Sequence, residues 1–167
     1  NSCITGPSAI KPFLMTSCFM AVPYVINLYT TADWFEEHSS VALSVIGGVL
    51  LLLIIVIMAI ATFMNSGQIP RNSIPDYYLN IDPRKKKRFV VHQGVLKKIS
   101  KCETCLIVKP WRSSHCPDCD NCVMRFDHHC PWIGNCVGQR NYKYFFTFIS
   151  LMNLFFFFLV SISVVHI

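Results

Sequence analysis

Ten side chains able to ligate a metal or act as nucleophile or base fall within 35 positions: Cys102, Cys105, His115, Cys116, Cys119, Cys122, His128, His129, Cys130 and Cys136. Two of the spacings are Cys-x2-Cys, in CETC and CPDC. A two-residue spacer folds into a tight turn that aims both sulfurs at one ion, so the pairs point to zinc. A structural zinc takes four ligands, hence two closed sites use eight donors and leave two over. Each pair then needs two more ligands from His115, Cys122, His128, His129, Cys130 and Cys136.

The stretch RFDHHCPW (125–132) narrows the choice. In extended backbone, neighbours point to opposite faces and residues two apart share one, so His128 and Cys130 fall together and His129 opposite. One division gives His129 to zinc and leaves a Cys-His couple. A thiol beside an imidazole can lose its proton and become a strong nucleophile near pH 7, with Asp127 placed to orient the imidazole. On spacing alone an irregular cluster of all ten groups, or two idle leftovers, stays open.

The surrounding chain must hold this cluster at a membrane. Over half of the 167 residues are hydrophobic (53%) and only 14% are charged. Val41–Met64 holds 24 residues without a charge, about 36 Å as a helix against a hydrocarbon core of about 30 Å. A second such run covers Tyr144–Ile167. A third, Pro12–Thr30, is interrupted by Thr16, Ser17, Pro23 and Asn27. It reads as a span rather than a signal peptide, because Lys11 is a thin basic region and no clean cleavage site follows.

Of the 15 Lys and Arg residues, 14 lie between Arg71 and Lys143, while the loop TADWFEEHSS (31–40) carries Asp33, Glu36 and Glu37. The positive-inside bias places residues 65–143 and the N-terminus in the cytosol. Thiols stay reduced there, so seven clustered cysteines speak for metal or catalysis and against disulfides. Cys3 and Cys18 read as small apolar fillers. The run RKKKR (84–88) is either a solvated charge run or a contact for anionic lipid. FVVHQGVLKKISKC (89–102) suggests a hairpin around His92-Gln93-Gly94. No internal repeat, nucleotide-binding glycine motif or nucleic-acid motif is apparent, and the basic charge follows from topology, so no nucleic-acid partner is expected.

The segment from Cys102 to Asn141 closely resembles the cysteine-rich domain of the DHHC-type protein S-acyltransferases, the palmitoyltransferases. The likeness rests on the two zinc pairs, KPxRSxHC at Lys109–Cys116, DHHCPW at Asp127–Trp132 and NCVGxxN at Asn135–Asn141. It implies one structural zinc on Cys102, Cys105, His115 and Cys122, and another on Cys116, Cys119, His129 and Cys136. It also implies Cys130 as nucleophile, His128 as general base and Asp127 orienting it. Cys130 would take a long-chain acyl group from acyl-coenzyme A and pass it to cytosolic cysteines of membrane-associated proteins. Lys109, Arg112 and Trp132 are candidate acyl-CoA contacts.

The architecture so implied is an integral membrane protein with three visible helices of an expected four and a small irregular or β zinc domain in the cytosol. The expected divisions are spans at about 12–32 and 41–64, a linker at 65–101, the cysteine-rich domain at 102–142 and a third span at 143–167. The expected location is a eukaryotic endomembrane (Golgi or ER) or the plasma membrane. Asn65-Ser66-Gly67 keeps only the glycine of the family's DPG element. The fourth span and its TTxE element do not follow, which suggests a fragment. The competing function is a membrane-tethered zinc module that binds partners, RING-like or a non-catalytic relative. A lone Cys136 and the HHC run do not fit a RING.

Overall fold

The computed structural model describes residues 8–31, 41–71, 87–92 and 94–166. The acidic loop at 33–37, Cys3 and the first three residues of RKKKR lie outside the described residues. Three helices carry the apolar runs: α1 (Ile10–Thr30), α2 (Val41–Phe63) and α3 (Tyr142–His166). Each is long and apolar enough to cross a membrane, with best-window mean hydropathies of 1.4, 3.1 and 2.4. A helix satisfies its own backbone polar groups, which the hydrocarbon requires. Leu14, Phe19, Leu52, Phe156 and Val164 stand exposed on the outer faces, the surface a bilayer would cover. Cys18 is also exposed on α1 rather than packed as a filler.

The residues that weaken α1 as a sequence signal are ties to the rest of the molecule. Asn27 Nδ2 donates to Ser163 Oγ of α3 at 2.9 Å and Thr16 Oγ1 to the Trp132 carbonyl at 2.8 Å. Tyr24 donates its hydroxyl to the Ser44 carbonyl of α2. Such interhelical bonds, with close packing, substitute for the hydrophobic drive that helices lose in lipid. The packing is tight at Gly47, where a Cβ would meet Tyr24 Cε2 at 2.7 Å and Phe158 Cε1 at 3.0 Å. Met20 and Tyr24 of α1, Ile54 and Met58 of α2, and Phe148 and Phe155 of α3 form one core that continues into the extramembrane domain through Cys130, Ile133 and Val137.

Among the described residues, seven short strands build that domain. β1 (Lys87–His92) pairs antiparallel with β2 (Val95–Cys102) through His92↔Val95. Gly94 turns the chain there at φ 73°, as a two-residue hairpin loop asks. β2 continues onto β3 (Ile107–Lys109), so residues 87–92 and 95–101 at the end of the expected linker belong to the sheet. Two hairpins follow, β4 (Ser114–Cys116) with β5 (Asn121–Val123), and β6 (His128–Cys130) with β7 (Asn135–Val137).

These hairpins correct the expectation that the chain has no internal repeat. The end of β2 with β3, then β4–β5, then β6–β7 are one unit used three times with a shift of 14 residues. The pairs Ser100↔Lys109, Ser114↔Val123 and His128↔Val137 are equivalent, as are Cys102↔Ile107, Cys116↔Asn121 and Cys130↔Asn135. Each tip passes through left-handed backbone at the same place, Leu106 (φ 54°), Asp120 (φ 46°) and Gly134 (φ 60°). Only the third tip needs glycine, since a Cβ on Gly134 would lie 2.9 Å from Ala9 Cα at the start of α1. In sequence the second and third units share HCP and NCV, at 115–117 and 121–123 and again at 129–131 and 135–137, while the first keeps little besides its two cysteines.

The domain is fastened to the end of α2. The last carbonyls of a helix lack intrahelical donors, and two buried amides supply them here. Asn135 Nδ2 donates to the Thr62 and Met64 carbonyls, and Asn141 Nδ2 to those of Ala61 and Cys136. Asn141 Oδ1 in turn accepts from Gly138 N at 2.9 Å. The chain leaving α2 then runs beside β5, with Ile69 N donating to Cys122 O and Met124 N to Gly67 O, both at 2.8 Å. Asn141→Ala would strand three buried backbone groups at about 1–3 kcal/mol each. A drop in the melting temperature in detergent and faster proteolysis within residues 65–101 are expected, and an unchanged melting temperature would contradict this account.

Candidate active site and metal centres

The repeat creates two donor clusters in sequence order. In the first, Cys102, Cys105, His115 and Cys122 bring their ligand atoms within 4.8 Å of one another, and Cys116, Cys119, His129 and Cys136 do the same in the second. Each cluster takes a Cys-x2-Cys knuckle from one hairpin and a His and Cys facing each other on the next, His115↔Cys122 and His129↔Cys136. His115 Nδ1 lies 3.6, 3.4 and 3.9 Å from the sulfurs of Cys102, Cys105 and Cys122. His129 Nδ1 lies 3.6, 3.4 and 3.7 Å from those of Cys116, Cys119 and Cys136. A tetrahedral zinc with ordinary Zn–S and Zn–N bonds sets S···N at about 3.5 Å. Both clusters therefore fit zinc.

The electrostatics point the same way. Cys119 and Cys136 bring their sulfurs to 3.3 Å. The hydrogen bond from Cys136, with help from His129, lowers the Cys119 thiol to about 6, while that same bond and burial push Cys136 up. Burial, then hydrogen bonding to Cys102, raises Cys122. One sulfur in a crowd takes the charge and its neighbours keep their protons, a conflict that a dication removes. The knuckle amides help, with Cys105 N directed at Cys102 Sγ and Cys119 N at Cys116 Sγ, each at 3.4 Å. Asp120 stands 3.8 Å from His115 Nε2 and pairs with Arg71, tying the segment after α2 to the first cluster.

Asp127, His128 and Cys130 belong to neither cluster. On β6 the side chains of His128 and Cys130 fall on the face opposite His129. His128 Nδ1 is 3.1 Å from Asp127 Oδ2, and Phe145 of α3 meets its ring edge-on at 5.2 Å between centroids. Cys130 is only 4% exposed and sits in the core shared with the helices. An apolar cleft of about 440 Å³ opens beside it, between Thr16 and Phe19 of α1 and Phe148, Ile149 and Met152 of α3. His128, Cys130 and Trp132 complete its wall. Trp132 stands half-exposed at the rim, 6.5 Å from the Phe19 ring.

A second cleft of about 600 Å³ is strongly basic. Arg112, Arg125, Arg140 and Lys143 line it together with Asp127. Arg112 is held by a left-handed backbone (φ 62°) and by Trp111, whose ring lies 5.6 Å away. Sequence reading named Arg112 but missed Arg125, Arg140 and Lys143. Spacing hides them, because they come from two loops and a helix start. Lys109 lies on β3 and lines neither cleft. Also unread were Thr16, Phe19 and Phe145, whose role depends on helix packing.

Comparison with known proteins agrees with these features. The family model described as DHHC palmitoyltransferase matches residues 96–167. The chain is 37% identical over 154 residues to Palmitoyltransferase ZDHHC18-A of Danio rerio, covering 83% of this chain and 32% of that protein. It is 35% identical over 142 residues to Palmitoyltransferase ZDHHC5-A of Danio rerio, covering 85% and 19%. With Protein S-acyltransferase 8 of Arabidopsis thaliana it shares 32% over 183 residues, covering 98% and 45%. The chain thus spans less than half the length of these relatives. Matches across the knuckles, the DHHC strand and the membrane helices together make this chain a member of the DHHC-type protein S-acyltransferase family.

Proposed function

We propose that the protein moves a long-chain acyl group from acyl-coenzyme A to cysteines of membrane-associated proteins, with Cys130 as the intermediate carrier. The observation that carries this reading is the buried Cys130 thiol, unclaimed by either metal cluster, at the wall of an apolar cleft between two membrane helices. An acyl chain gains about 0.8 kcal/mol per buried CH₂ in lipid, so a nucleophile facing such a cleft spares the chain from water.

In the first step His128 takes the Cys130 thiol proton as the sulfur attacks the thioester carbonyl, a new C–S bond forms, and the bond to coenzyme A breaks. The departing thiolate takes the proton that His128 holds. In the second, His128 accepts the proton of the incoming cysteine, whose sulfur displaces Cys130 from the acyl carbon, and the departing Cys130 thiolate takes that proton back. Asp127 fixes the imidazole tautomer from 3.1 Å and stabilises its charged form. The eight clustered ligands would hold two zinc ions, whose part would be to fix the hairpins. The phosphates of coenzyme A lie in the basic cleft, on Arg112 with Arg125, Arg140 and Lys143, and Trp132 covers the thioester. Lys109 contributes to the wider basic surface. The domain faces the cytosol on an endomembrane (Golgi or ER) or the plasma membrane.

The test uses full-length purified protein and a labelled acyl-CoA analogue. Label that neutral hydroxylamine removes is expected, and its absence would favour the competing zinc-module reading. Arg140→Ala should raise the KM for acyl-CoA up to about tenfold with little change in kcat, since it removes a charge from substrate binding alone. Added salt should weaken binding in the same direction. A fall in kcat at unchanged KM would refute the phosphate assignment.

A further inference from the structure

The 14-residue repeat places Cys130 in a third knuckle. The first cluster takes the third and sixth residues of its first hairpin unit, Cys102 and Cys105, and then His115 and Cys122 from the next. Shifting each by 14 gives the second cluster, Cys116, Cys119, His129 and Cys136. A further shift gives Cys130, Ile133, Lys143 and Ser150. Of these only Cys130 has a side chain of a type that ligates zinc, and it belongs to neither cluster, because the chain enters α3 where a fourth hairpin would stand.

The third unit otherwise keeps the build of the others. It has the same strand register and the same left-handed tip. Asn135 Oδ1 accepts from Cys136 N as Asn121 Oδ1 accepts from Cys122 N, at 2.8 and 3.0 Å. Cys130 and Ile133 are buried like Cys102 and Cys105 before them. Ile133 occupies the place of the second cysteine and shares the core of Met20, Val137 and Phe148 instead.

We propose that the β6–β7 hairpin is a third zinc knuckle kept free of metal and of a disulfide by Ile133, which stands where the other two carry their second cysteine. Ile133 is a positioning residue on this account. It touches no substrate and acts by denying Cys130 a chelating partner. The link to catalysis rests on the reading of Cys130 as acyl carrier, whereas the knuckle geometry does not.

Ile133→Cys in the full-length zinc-loaded protein tests it. Folded protein is treated with diamide, which takes up the two thiol hydrogens, then alkylated and digested with trypsin. The peptide from Phe126 to Arg140 carries all three thiols of the hairpin. A disulfide between residues 130 and 133 is expected, with two zinc ions still bound. With cadmium supplied, total metal should rise from two ions per chain to three, and Cys130 alkylation should slow about tenfold or more until a chelator is added. Wild type and Ile133→Val should do neither. If Ile133→Cys keeps two zincs but neither closes a disulfide nor gains an ion, the proposal is overturned. Cys119→Ile is the converse and decides the matter if Ile133→Cys does not fold. It should lose one zinc and expose Cys116 to alkylation, and retention of both zincs would also overturn the proposal. None of these readouts needs acyl transfer, so failure of Cys130 to acylate would sink the proposed function and leave this result standing.

Discussion

Cys130→Ser is expected to lose all hydroxylamine-sensitive acyl label, a fall of at least about 10³-fold, while keeping two zinc ions per chain. The hydroxyl replaces the sulfur with little change in shape, but it is not a nucleophile at neutral pH without far stronger activation. The zinc content follows from position. Cys130 stands in the same strand as His129 but on the opposite face, and contributes to neither donor cluster. Label counting and metal analysis on one preparation check both halves. Label that survives in the mutant, or one ion lost, would put Cys130 among the ligands.

His129→Ala and His128→Ala, one residue apart, should fail in different ways. His129 Nδ1 sits between three sulfurs at 3.4 to 3.7 Å. Its loss leaves three crowded thiols and should release the second zinc, whose binding is worth on the order of 10 kcal/mol or more. The β4–β5 and β6–β7 hairpins would then separate, and acyl label would vanish with the placement of Cys130. His128→Ala should keep both ions and slow transfer by about 10² to 10⁴-fold. Among the described residues its ring meets Asp127 and the edge of Phe145 and stands outside both metal clusters, so little of the fold depends on it. Two zincs in His129→Ala, or one in His128→Ala, would reverse the assignment of the two histidines.

The membrane helices were legible because each is an uncharged run of sufficient length, a signal independent of tertiary contacts. α1 was the least clear for a reason visible in the structure: Thr16 and Asn27 are polar because their partners lie on the β6–β7 loop and on α3. Counting donors gave two unclaimed groups, but which ion each ligand joins came only with the family resemblance. The hairpin repeat that arranges them was open to reading in HCPDCDNCV (115–123) and HCPWIGNCV (129–137), but ligand counting attends to cysteines alone, and there Ile133 interrupts the pattern. Of the basic cleft only Arg112 was read, because Arg125, Arg140 and Lys143 join it in one lining only after the loops fold.

Asn65 clarifies one departure from the family pattern. Its Oδ1 accepts from Gly67 N and Gln68 N at 2.8 and 2.9 Å, a turn that an aspartate in its place would also make. The change from the family's acid therefore removes a charge and preserves the bend that brings residues 66–69 alongside β5.

The contact between the β6–β7 tip and the start of α1 makes the β6–β7 strand pair the head of a tripod. Its tip rests at Ala9 and Pro12 of α1's entry. Asn141 grips the end of α2, and β7 leads directly into α3. The height of the Cys130 thiol above the hydrocarbon is therefore set by the joint seating of three helices. A bilayer that changes thickness tilts or shifts those legs, and carries the thiol with them instead of sliding past it.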